Sequence, residues 1–146
     1  KKKSYEKNIN KNFLENILIE AKDLFYENHQ NNKIIHMLIK NYFVNNNYFS
    51  TFQENIVSDY FCLEIQFKYI SNFFLSEIDK LLGEYQINIV EYLDGNHIKS
   101  FFKNDNLEFS EKIYRIKAGI NSNEVKLIPK NVRKIGFFEK FFQLFS

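Results

Sequence analysis

Apolar residues Phe13, Leu14, Ile17, Leu18, Ala21, Leu24 and Phe25 recur at the i, i+3, i+4, i+7 spacing of a helix with one buried stripe. The pattern predicts a helix from Asn12 that ends in the polar run 27–32. Residues 34–44 are rich in β-branched and aromatic side chains with little alternation, as expected of a strand covered on both faces. Asn45, Asn46 and Asn47 are the turn that closes it. Phe61, Leu63, Ile65, Phe67 and Tyr69 alternate with polar residues, the period of a half-buried strand. Ser71 is then a candidate N-cap for a second amphipathic helix carrying Phe74, Leu75, Ile78, Leu81, Leu82 and Tyr85, with Gly83 at its exit. Phe74, Ile78 and Leu82 are expected to pack on the alternating strand.

Weaker signals follow. Residues 87–92 read as a short strand, Asp94 as the cap of a short helix with Ile98, Phe101 and Phe102, and 107–117 as a helix stopped by Gly119. Residues 125–128 read as extended, and 135–145 as a final helix. The expected fold is α+β, a small, mostly antiparallel sheet with helices packed on it. A length of 146 residues points to one domain over 11–124, with 1–10 a frayed polar lead and 125–146 a basic linker and amphipathic helix.

Composition narrows the classes of function. Forty-five per cent hydrophobic residues support a packed core and exclude wholesale disorder. Twenty basic against eighteen acidic side chains leave +2, which argues against nucleic acid as the partner. Abundant Phe, Tyr, Lys, Asn and Ile, with no Trp and few Gly and Pro, follow AT-rich coding, so the Asn runs read as loops. The rings fall at core positions rather than forming a base-stacking platform. No apolar run reaches the roughly 18 residues that cross a bilayer. The start at three lysines without Met is that expected of a trimmed or processed chain.

No motif names a reaction. His29, His36 and His97 have no His, Cys or carboxylate at a ligand-like spacing, so no metal or cofactor is expected. His36, inside an apolar strand, reads as a hydrogen-bonded structural histidine. Cys62, the single cysteine, lies on the polar register of its strand without a base partner and reads as structural. Gly95 has no phosphate-cradling neighbours, and Glu77 and Asp79 point apart on their helix. The expectation is a protein that is not an enzyme.

The C-terminal segment carries the sharpest signal. On a helical wheel Ile135, Phe137, Phe138, Phe141, Phe142, Leu144 and Phe145 share an arc of about 180°. Lys126, Lys130, Arg133 and Lys134 precede it, and Lys140 lies on the polar side. The face could dock on the chain's own sheet, lie in an anionic membrane surface, enter a partner groove, or lead into a membrane span. Phe137, Phe138, Phe141, Phe142, Leu144 and Phe145, with Arg133, Lys134 and Lys140, are the candidate membrane or partner contacts.

Residues 14–25 followed by 33–44, then 63–69, the helix to Tyr85 and 87–92, resemble the strand–helix–strand–strand (1C) subdomain of FtsA- and PilM-like proteins. That subdomain is a protein–protein contact surface, and FtsA ends in an amphipathic membrane-targeting helix, which 136–145 resembles. The actin-like ATP-binding subdomains have no counterpart here, so no nucleotide residue carries over. Residues 125–129 are alternatively similar to the apolar segment by which PilN- or GspL-like proteins engage a partner. The resemblance implies a non-enzymatic interaction module at a membrane surface in a division, pilus or secretion assembly. Its partners would be other protein subunits, with an anionic membrane met through the C-terminal helix. The implied location is cytoplasmic, peripheral to the inner membrane, or else an organelle interior. Two rivals stand beside it: a structural subunit of a large complex from an AT-rich genome or organelle, and a nucleic-acid-binding α/β domain.

Overall fold

The computed structural model describes residues 2–126 and is an α+β protein. In chain order the elements are β1 (Lys2–Ile9), α1 (Lys11–Asn28), β2 (Asn32–Val44), β3 (Asn47–Phe49), β4 (Ile56–Ser71), α2 (Asn72–Gly83), α3 (Gly95–Phe101), α4 (Phe109–Ala118) and β5 (Glu124–Val125). The strands form one antiparallel sheet in the order β1-β4-β2-β3, with β5 pairing β2. The chain gathers into two compact units, Lys1–Gln30 with Leu38–Gln66, and Asn31–Met37 with the residues from Phe67 onward.

In the first unit, α1 starts where the Asn10 side chain accepts the N–H of Phe13 at 2.9 Å. It buries Leu14, Leu18 and Phe25, while Leu24 lies exposed. Residues 2–9, expected to fray, instead form β1. Its backbone pairs with β4 from Lys2 opposite Phe61 to Ile9 opposite Ile56, and Ile9 is buried. A polar strand carries little periodic signal, but an edge partner satisfies its backbone groups all the same. His36, Met37, Leu38 and Ile39 of β2 are buried in succession, so both faces of that strand are covered as expected.

Asn45 and Asn46 turn the chain with φ of 45° and 67°, and Val44 then pairs Asn47. Two consecutive positive φ values make the type I′ geometry of a two-residue hairpin, which asparagine tolerates. The register of β4 holds at Phe61, which is buried and meets Phe13 edge-on at 5.7 Å between ring centroids. Leu63, Ile65 and Phe67 are half-buried, and Tyr69 is exposed.

In the second unit, α3 and α4 pack around Ile98, Phe102 and Ile116, with Leu93, Leu107 and Ile113 against them. Asp94 caps α3 by accepting the N–H of His97, and Gly119 ends α4 at φ 87°, a left-handed conformation that suits glycine. α2 packs differently from the expectation: Leu75 is its buried residue, and Phe74 is exposed. Residues 87–92 form no strand. Gln86 turns the chain at φ 59°, and Ile87 and Val90 project into solvent, so β-propensity finds no edge to pair with. No helix among the described residues is long and apolar enough to cross a membrane.

Candidate functional site

Two features of the second unit hold chemistry or surface beyond ordinary packing. The first is a cluster of buried His36 on β2, buried His97 on α3 and half-buried Glu124 on β5. His36 Nδ1 lies 2.5 Å from Glu124 Oε1, and His97 Nε2 lies 3.2 Å from Glu124 Oε2. The imidazole rings are 4.6 Å apart between centroids. Asn121 Nδ2 reaches Glu124 Oε2 at 3.5 Å. Burial opposes the charge on Glu124, but the hydrogen bonds from His36 and His97 outweigh it and hold the carboxyl down to about 2.

The far side of His36 settles where its proton sits. Nε2 accepts the backbone N–H of Asp94 at 2.8 Å, so the ring proton is on Nδ1 and is donated to Glu124. Glu124, ionised, accepts from His97 Nε2 as well. Three potential ligand atoms within 4.8 Å of one another invite comparison with a two-histidine, one-carboxylate metal site. Metal-bound histidines donate their second ring N–H to an acceptor. A cation on Nδ1 of His36 would move its proton to Nε2, facing the Asp94 N–H, donor against donor. The arrangement is a closed proton-sharing clasp that joins β2, α3 and β5. Both ring nitrogens of His36 and both carboxylate oxygens of Glu124 have partners in it, and His36 and His97 are buried.

Beside α3, an open cleft of about 730 Å³ is lined by Asp94, Gly95, Asn96, Lys99, Leu107, Phe109 and Lys112. Its one carboxylate is already engaged, since Asp94 caps α3 and pairs with Lys68 at 3.5 Å. Lys99 lies 5.9 Å over the Phe109 ring. The lining holds no histidine, cysteine or hydroxyl to act as nucleophile or base.

The second feature is the outer side of α2. Leu75 is 5% exposed, whereas Phe74, Leu81 and Tyr85 are 53%, 57% and 70% exposed. Phe74, Ile78 and Leu81 follow one another at intervals of 4 and 3, which lines them up along one helix side, and Tyr85 follows just past the helix end. Glu77 and Glu84 stand one residue before Ile78 and Tyr85. Tyr92 donates to Asp79, which anchors the segment after α2 back onto the helix. An isolated exposed apolar residue is ordinary, whereas several on one helix side are the kind of surface that helices use for contact.

No protein-family model matches this chain, and no curated protein and no solved structure matches it either. Nothing in those comparisons bears on the FtsA- and PilM-like reading.

Phe137, Phe138, Phe141, Phe142, Leu144 and Phe145, with Arg133, Lys134 and Lys140, lie outside the described residues. The sequence reading placed His36 as a hydrogen-bonded structural histidine, and its two ring nitrogens are both bonded. It missed the clasp as a unit, because Glu124 lies 88 residues from His36 and 27 from His97. It read the α2 apolar residues as core. The apolar arc, from Phe74 and Leu81 round to Leu75 and Leu82, is wider than one packing face needs, and that was the signal that part of it lies outside the core.

Proposed function

We propose that this chain is a non-enzymatic protein-interaction module that receives an amphipathic helix along α2. The observation that carries the reading is the exposed pair Phe74 and Leu81, with half-buried Ile78 between them, on a helix whose buried residue is Leu75, followed by exposed Tyr85 just past the helix end. An apolar seam at heptad-like intervals is the geometry by which one helix receives another. Its flanking acids choose between occupants. Glu77 and Glu84 repel the anionic surface of a membrane and attract a helix with basic residues beside its apolar stripe.

Amide chemical shifts of the full chain, titrated with a synthetic helix bearing Phe in the seam and Lys beside it, test the reading. Saturable shifts confined to α2 and residues 84–90, absent with a scrambled peptide, are expected. Glu77→Lys with Glu84→Lys should weaken the binding. No shift, or a response to anionic vesicles in place of the peptide, would overturn it.

A further inference from the structure

Helices α3 and α4 meet over Ile98, Phe102 and Ile116, and Leu107 packs against that cluster from the segment between them. The open cleft beside α3, about 730 Å³, lies within the size range of small-molecule sites, roughly 300–1,000 Å³. Leu107 and the Phe109 ring give it an apolar side, and Lys99 of α3 and Lys112 of α4 bring one ammonium group from each helix. Gly95, without a side chain, leaves room beside the ring: a Cβ there would stand 3.8 Å from Phe109 Cζ.

The charges of the cleft do not balance. Asp94 caps α3 and pairs with Lys68, Glu91 pairs with Lys117, and Glu111 of α4 pairs with Arg115. Asp105 and Glu108, between the two helices, do not line the cleft. Among the described residues neither Lys99 nor Lys112 has an ion-pair partner. Lys112 is half-buried, so it has lost part of its water without gaining a counter-charge. Lys99 lies over the face of Phe109, 5.9 Å from the ring centroid. An ammonium on a flexible stem can swing, so both cations can turn to one anion.

We infer that the cleft between α3 and α4 binds a small organic anion whose carboxylate or phosphate is carried on a flat apolar ring. The ring lies against Leu107 and Phe109, and the anionic group meets Lys99 and Lys112. A ring alone would leave both cations uncompensated, and an anion alone would leave the apolar side wet, so the two parts together define the ligand. The site does not depend on α2: it adds a small-molecule ligand to the helix-receiving surface, and either reading can fail without the other.

Amide chemical shifts of the full chain, titrated with 1-naphthoate and with 1-naphthyl phosphate, test it. The controls are 1-naphthol, a ring without the charge, and acetate, a charge without the ring. Saturable shifts at residues 95–99 and 107–112 are expected with at least one of the two ring anions, and none with either control. The stronger of the two names the anionic group that the cleft takes. For a ligand of about 13 heavy atoms in an open cleft, the dissociation constant should be on the order of 1 mM. Lys99→Gln with Lys112→Gln keeps both stems and should weaken binding at least about tenfold, the cost of losing charged hydrogen bonds. Lys103→Gln, on a lysine outside the cleft, should leave binding unchanged. Gly95→Leu fills the space beside Phe109 and should abolish binding with every charge in place. Unchanged amide shifts away from the cleft show that each variant is folded. Shifts that rise without saturating, an equal response to 1-naphthol or to acetate, or unchanged affinity in the double lysine variant would each overturn the inference.

Discussion

His36 accepts the backbone N–H of Asp94 through Nε2 at 2.8 Å, across 58 residues of chain. This bond assigns the imidazole proton to Nδ1, and so makes His36 a donor to Glu124 rather than a free base or a ligand. It also ties the residue that caps α3 to strand β2. His36→Ala removes both bonds, leaves the Glu124 charge short of its nearer donor and opens a void among buried neighbours. The expected loss of stability is about 1–3 kcal/mol, the range for leaving buried hydrogen-bonding groups without their partner. Urea denaturation measures it, and a loss below about 1 kcal/mol would show that water replaces the ring without penalty.

Acid should undo the same clasp in a defined window. The Glu124 carboxyl is held down to about 2, against an ordinary value of 4.5. A depressed acid binds its proton more readily in the unfolded chain, so its stabilisation is fully present above about 4.5. It is lost progressively as pH falls towards 2. The shift corresponds to on the order of 3 kcal/mol. Unfolding free energy measured across that window should fall in the native chain, and the fall should be shallower in Glu124→Gln.

Excess zinc should leave the melting temperature unchanged. Binding at His36, His97 and Glu124 requires the His36 proton to face the Asp94 N–H, and that conflict opposes the coordination energy. A saturable rise in melting temperature, abolished by Glu124→Gln, would show that the Asp94 peptide turns away and the clasp opens to a cation.

Truncations along the aromatic positions should follow burial rather than hydrophobicity. Phe61 is buried against Phe13, so Phe61→Ala should cost about 3–5 kcal/mol. Phe67 is half-buried, and its truncation should cost less. Phe73 is 75% exposed, so Phe73→Ala should fall within about 0.5 kcal/mol. Equal costs at positions 61 and 73 would show that the face of α2 carrying Phe73 is covered in the free protein.

Local signals settled what is local. The stripe of α1, the buried run of β2, the Asn45-Asn46 hairpin, the Asp94 cap and the Gly119 stop were all legible, because spacing, capping and left-handed φ act within a few residues. The α+β class followed from their order. Tertiary structure alone decided three further things. It gave residues 2–9 a partner in β4, whereas 87–92, with better strand residues, found none. It chose Leu75 over Phe74 for the inside of α2, since a helix apolar over a wide arc does not state which side meets its own domain. It also brought His36, His97 and Glu124 together from β2, α3 and β5. Their sequence separations follow no ligand motif, and the proton on Nδ1 depends on a backbone N–H that only the folded chain supplies.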